Sequence, residues 1–188
     1  MTRKRLSQRK ISTPSTAFAP TEDELIEVLD NSSRPFMIMP RSSALAQNLP
    51  HQIVLVVLRD REGNVYIHRR SARKKSYAGL WSVSASGFVQ AGESLKDAAF
   101  RELNEELGIS GIQLLQAGQV EPSAQTDWAR VSLFVSTPSQ VIINPAPEEI
   151  SEGMFVDEDE LSSLLLNIPE ILTPALKWAA AACDLFRL

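Results

Sequence analysis

Residues Gly87 to Ile109 read GFVQAGESLKDAAFRELNEELGI, and this stretch decides what the rest of the chain is built to hold. Gly87 and Gly92 supply the backbone of a turn. Ser94, followed three residues on by Asp97, is the pattern in which a hydroxyl accepts from the orphan N–H groups of a helix start. Gly108 supplies the stop, because glycine takes the left-handed conformation that closes a helix at little cost. At about 100° per residue, Leu95, Ala99, Phe100, Leu103 and Leu107 form an apolar stripe, and Glu102, Glu105 and Glu106 share the adjoining sector. One helix should therefore bury one face and present an acidic one.

Three carboxylates so placed repel. A pair about 4 Å apart costs roughly 1 kcal/mol in water and roughly 4 kcal/mol at an effective dielectric of about 20, so beside an apolar stripe a divalent cation is the natural relief. Carboxylate, carbonyl and water oxygens suit Mg²⁺ or Mn²⁺. The plain alternative is a solvated helix face, and the spacing argues against it. Gly87 is followed after five residues by Glu93, and after seven more by Arg101-Glu102-Leu103-Asn104-Glu105-Glu106-Leu107-Gly108-Ile109. In this the chain resembles the Nudix hydrolases, whose box it matches at every specified position.

The resemblance implies an α/β/α sandwich around a mixed β-sheet. It also implies metal-dependent cleavage of a pyrophosphate linkage in a nucleoside diphosphate linked to another moiety. Mg²⁺ or Mn²⁺ would be held by the Gly87 carbonyl with Glu102, Glu105 and Glu106. Glu102 would be the base that activates water, with Glu105 beside it in the catalytic set, and an Arg101–Glu93 ion pair would fix the helix against the loop. Some members place the base on a later loop, where Glu121, Glu148, Glu149 and Glu152 are candidates, and that choice stays open. Arg69, Arg70, Arg73, Lys74 and Lys75 supply counter-charge for phosphates. Arg69 and Lys75 are the preferred substrate-binding residues of the five, the rest reading as a solvated loop. Trp81 and Trp128 could stack on a base, although aromatic residues in strands are more often core; His51 and His68 read as structural.

From Glu24 to Val156 the chain is also similar to the branch of the superfamily that contains isopentenyl-diphosphate isomerase. Leu49-Pro50-His51, Arg69-Arg70 followed by Lys74-Lys75, and Gly79-Leu80-Trp81 carry this likeness. The isomerase needs a cysteine and a histidine flanking the first glycine of the box, and this chain has Ser86 and Phe88; a further metal-binding histidine is replaced by Ala44. The resemblance therefore keeps the hydrolase chemistry and loses that of the isomerase. A non-catalytic nucleotide-binding module is a third option, against which the intact box speaks. Residues that mark substrate subgroups after the box are not matched by Ala124, Gln125, Thr126 and Asp127, so the substrate's identity is not given.

Composition sets the frame. With 188 residues, 44% of them hydrophobic, the chain can bury the core of a single domain, expected over 21–188. There is no apolar run long enough for a bilayer and no secretory h-region at the N-terminus. The lone Cys183 forms no internal disulfide and reads as core, and a cytoplasmic location is expected. The net charge is −4, but residues 1–20 carry Arg3, Lys4, Arg5, Arg9 and Lys10 with no acid, which leaves the remainder at −9. That tail is expected to be disordered, a transit peptide or anionic-surface contact being the weaker reading. The acidic body argues against nucleic acid as a partner. A small-molecule nucleotide diphosphate is expected instead, with no membrane partner, and a homodimer is left open.

Along the chain, Glu24–Leu29 and Pro35–Met39 around a polar turn read as a hairpin, with a Thr21-capped helix as the alternative. Arg41–Pro50 reads as a loop. Ile53–Leu58 is a β-branched run that suits a doubly buried strand, and Val65–Arg70 is a second strand. Leu80–Ser86 reads as one strand running into the box, and Ile112–Val120 and Trp128–Ser136 as two more. Gly153–Val156 is a short strand, Asp157–Leu166 a helix with an acidic start, and Thr173–Phe186 a final helix opened by Pro174.

Overall fold

The computed structural model describes residues 23–187, so the basic tail expected at 1–20 lies outside the described residues. The chain enters through an antiparallel hairpin, β1 (Leu25–Leu29) and β2 (Pro35–Pro40), followed by a short helix α1 (Arg41–Ala46). The β-branched run becomes β3 (His51–Val57), and β4 (Val65–Arg70) follows after the Asp60–Asn64 turn. Two short strands, β5 (Trp81–Ser82) and β6 (Ala85–Phe88), lead into the long helix α2 (Leu95–Leu107). Beyond it come β7 (Leu114–Val120), β8 (Ala129–Ser136), β9 (Ile150–Val156), α3 (Glu158–Asn167) and α4 (Pro174–Ala182).

The strand β3 organises the rest. It pairs with β8 in parallel and with β6 antiparallel, and β7 completes a four-stranded mixed sheet in the order β6-β3-β8-β7. A second, antiparallel sheet runs β5-β4-β9. Because successive strand residues face opposite ways, β3 feeds two cores. Leu55 and Val57 pack with Leu133, Val135, Leu161, Leu176 and Ala179 on the α3/α4 side. Val54, Val56 and Leu58 pack with Ala98, Ala99, Leu103 and Leu107 of α2 on the other. This is the α/β/α sandwich around a mixed sheet expected from the sequence.

Three local readings differ. The expected loop 41–50 contains α1, whose six residues are too few to show a helical period; Ala44 is buried there among Ile26 and Val28. The single strand expected over 80–86 is two strands, one in each sheet. The break falls at Ser84, where the sheets diverge. Its hydroxyl accepts from the Leu58 N–H at 2.7 Å and donates to the Tyr66 carbonyl at 2.6 Å, replacing ladder bonds that neither sheet could make there. The final helix stops at Ala182, earlier than the expected Phe186, and Cys183 is half-buried at its end.

Candidate active site

The loop and helix at 87–109 fold as their local chemistry dictates. Ser94 caps α2, its hydroxyl accepting from the Asp97 N–H at 3.1 Å, and Gly108 closes it with φ 67°. The helix lays Leu103 and Leu107 into the core, which places Glu102 and Glu106 at its edge, 8% and 5% exposed, while Glu105 stays in solvent. Arg101 ties the region together. Its Nε and Nη2 grip both oxygens of Glu93 at 2.9 and 3.0 Å, Nη2 also reaches the Phe88 carbonyl at 2.8 Å, and Nη1 donates to Glu102 at 2.6 Å and to Glu105 at 3.3 Å. Glu106 accepts from the Ser86 N–H at 3.2 Å.

Gly87 has a steric reason to be glycine. A Cβ there would fall on the carboxylate of Glu102. Burial pushes the Glu102 carboxyl up to about 7, against the pull of Arg101, and pushes Glu106 up to about 8, with Glu102 adding to the effect. Two adjacent carboxyls are thus buried at an energetic cost that a bound cation would relieve.

Among the described residues no three His, Cys, Asp or Glu side chains converge as a ready-made cage. The physical reason is visible. Glu102 and Glu105 both accept from Nη1 of Arg101, at 2.6 and 3.3 Å, so a guanidinium nitrogen already stands between these two carboxylates. The donor set nevertheless fits a hard divalent ion, since it consists of oxygens only and two of its carboxylates are buried.

These residues open onto a cavity of about 720 Å³. Across it stand Arg70, at the end of β4, and Arg73, Lys74, Lys75 and Tyr77 of the loop that follows. Lys75 of the expected substrate-binding pair lines the cavity and Arg69 does not. Strand alternation sends Arg69 to the other face, where it donates to the Gly79 carbonyl at 2.8 Å and pairs with Glu152 at 3.0 Å. Arg70 takes the pocket side, with its Nε on the Ser76 carbonyl at 3.2 Å.

Of the four later glutamates, only Glu149 reaches the cavity, ion-paired with Lys74. Glu121 pairs with Arg130, and Glu148 is exposed. Neither Trp81 nor Trp128 lines the cavity. His51 and His68 are buried and each holds a backbone carbonyl, Leu49 at 2.9 Å and Ser84 at 3.1 Å; burial lowers both, His68 to about 4. His51 also stacks on Phe88, with ring centroids 5.3 Å apart. Sequence reasoning missed Glu24, Arg41 and Asp127, which line the cavity from segments far from the box and belong to no spacing pattern.

A profile of the NUDIX domain matches residues 49–179. The chain belongs to the Nudix family. An uncharacterized Nudix hydrolase of Streptomyces coelicolor is 35% identical over 146 residues, 76% of this chain and 80% of that protein. An isopentenyl-diphosphate Delta-isomerase of Cereibacter sphaeroides is 35% identical over 147 residues, 75% of this chain and 82% of that one. The fold is matched in the crystal structure of DR0079 from Deinococcus radiodurans, with a TM-score of 0.73 at 21% identity, covering 86% of this chain and 100% of that one. Among the described residues no helix is long and apolar enough to cross a membrane.

Proposed function

We propose that this Nudix protein is a hydrolase that cleaves the pyrophosphate linkage of a nucleoside diphosphate joined to another moiety, with Mg²⁺ or Mn²⁺ held by the Gly87 carbonyl and by Glu102, Glu105 and Glu106. The observation that carries this reading is the pair of buried carboxylates, Glu102 and Glu106, facing one cavity with a cluster of Arg and Lys side chains. When bound, the cation supplies neutralisation of phosphate charge and acidification of water. The chain's own residues supply the remainder. Lys75, Arg73 and Arg70 bind and orient the diphosphate through charge-assisted hydrogen bonds. Glu102 takes the proton of the attacking water as general base. The water oxygen bonds to phosphorus as the bridging P–O bond breaks, and the second phosphate leaves with the bridging oxygen. Arg101 holds Glu102 in place throughout, and Glu149 is the alternative base.

The isomerase among the relatives supports a second reading, and the site weighs against it. Isomerisation moves a proton across an allylic carbon frame and needs an acid and a base on opposite faces of an alkene. Here Ser86 offers a weakly acidic hydroxyl where a thiol would be required, the Phe88 ring is packed on His51, and Ala44 is fully buried. The test is phosphate release from a panel of nucleotides, nucleotide sugars and dinucleotides with Mg²⁺, run beside isopentenyl diphosphate. Formation of dimethylallyl diphosphate at enzymatic rates, with the panel untouched, overturns the hydrolase reading.

A further inference from the structure

The cavity has a third wall, built by the hairpin and α1, which precede the matched stretch 49–179. Glu24, Arg41 and Leu45 form it. Glu24 holds Arg41 twice: its carbonyl accepts from the Arg41 backbone N–H at 2.8 Å and its carboxylate from Nη1 at 2.5 Å. The guanidinium carbon stands 5.2 Å from the centroid of the Phe88 ring, the residue next to Gly87. Glu24 is the one hydrogen-bond partner of that guanidinium among the described residues, so most of its N–H donors remain open. The neighbouring Asp23 carboxyl is held below its ordinary value first by the Ser42 hydroxyl, and also by Arg41 and Lys75. Cations from two separate segments thus act on one carboxylate, that of the residue next to Glu24.

A surface Arg–Glu pair contributes little to stability, and a purely structural pair has no reason to sit in the wall of a phosphate-binding cavity with a guanidinium braced over a ring. A fork of N–H donors held in place in this way matches the oxygens of a phosphate, which a lysine meets only as a point charge. We propose that Arg41 is a substrate-binding residue that grips the diphosphate together with Lys75, so that the N-terminal hairpin is part of the site. The inference rests on the diphosphate reading given above.

The test is calorimetric titration of the full chain with inorganic pyrophosphate in Mg²⁺ buffer. The wild type is compared with Arg41→Gln, Arg41→Lys and Arg34→Gln; Arg34 belongs to the same hairpin but is tied to Asp30 and lies outside the cavity wall. Arg41→Gln should weaken the Kd by ~10- to 100-fold and Arg41→Lys by ~3- to 10-fold, while Arg34→Gln leaves it unchanged. Thermal melts establish that each variant is folded. A folded Arg41→Gln with the wild-type Kd overturns the inference and leaves the hydrolase reading standing. A wild type that fails to bind pyrophosphate overturns the hydrolase reading, and the inference with it. Should Arg41→Gln not fold, an unchanged Kd in Arg41→Lys, which keeps the charge next to Glu24, overturns the inference alone.

Discussion

The wall of the cavity made by α2 and the wall made by the loop after β4 face the same space and are held in opposite ways. On α2 the charges are locked: Arg101 binds Glu93, Glu102, Glu105 and the Phe88 carbonyl at once, and Glu102 and Glu106 are buried. On the loop Arg73, Lys75 and Tyr77 are exposed, while Lys74 pairs with Glu149 and Arg70, at the end of β4, donates to the Ser76 carbonyl. Groups that must stand within tenths of an ångström of a reacting phosphorus are fixed before substrate arrives. Groups that bind charge can adjust to what they meet.

If that contrast is right, the largest losses come from the locked wall. Glu102→Gln keeps the shape of the side chain and removes its proton acceptor, so kcat should fall by ~10² to 10⁴, and chelation of divalent ions should abolish activity outright. Steady-state kinetics on the best substrate of the panel checks both. Near wild-type turnover in Glu102→Gln would move the base to Glu149, and full activity in excess EDTA would sink the metal assignment. Next comes Gly87→Ala. Its methyl must displace the Glu102 carboxylate, and a misplacement of about 1 Å is worth roughly 10² in rate. Its KM should change far less than its kcat.

The same wall should report itself in stability. The carboxyls of Glu102 and Glu106 lie at about 7 and about 8 in the folded chain, above the roughly 4.3 of an unfolded glutamate. Between these values the folded state binds more protons than the unfolded one, so without divalent cation stability should fall as pH rises from about 5 to about 8, by on the order of a few kcal/mol. Metal replaces those protons, and saturating Mg²⁺ should flatten the slope. Thermal melts across that range, with and without Mg²⁺, check this; a stability that rises with pH in chelator would show that burial does not govern these two groups.

The difference between the walls also explains what could be read from sequence. The helix cap at Ser94, the stop at Gly108 and the β-branched strand β3 depend on residues close together in the chain, and each is legible as a pattern; the Arg101–Glu93 pair is implied by the family resemblance alone. The cavity's other walls are assembled from Glu24, Arg41, Arg70, Lys75, Asp127 and Glu149, which only the fold brings together. The break of 80–86 into two strands was hidden for the same reason, since it depends on Leu58 and Tyr66 meeting Ser84. Arg69 shows the limit in miniature. Composition could find a basic cluster, but whether Arg69 or Arg70 faces the cavity depends on strand register.

The smallest effects should therefore come from the loop wall, and the least of all from Arg69, which β4 turns away from the cavity. Lys75→Ala should raise KM by ~5- to 20-fold with little change in kcat, because a charge that binds ground state and transition state alike affects binding more than turnover. Arg69→Ala should change KM less than ~2-fold, and its exposed pair with Glu152 should contribute only about 0–1 kcal/mol to stability. Measuring the two variants side by side on one substrate isolates orientation, since both remove one cation from the same basic cluster. If Arg69→Ala matched Lys75→Ala in KM, the loop would act through its summed field and not through contacts, and the effect should then collapse in high salt. If instead the gap between them persists at high salt, individual side chains on this wall hold the phosphates, and the register of β4 has selected which ones can.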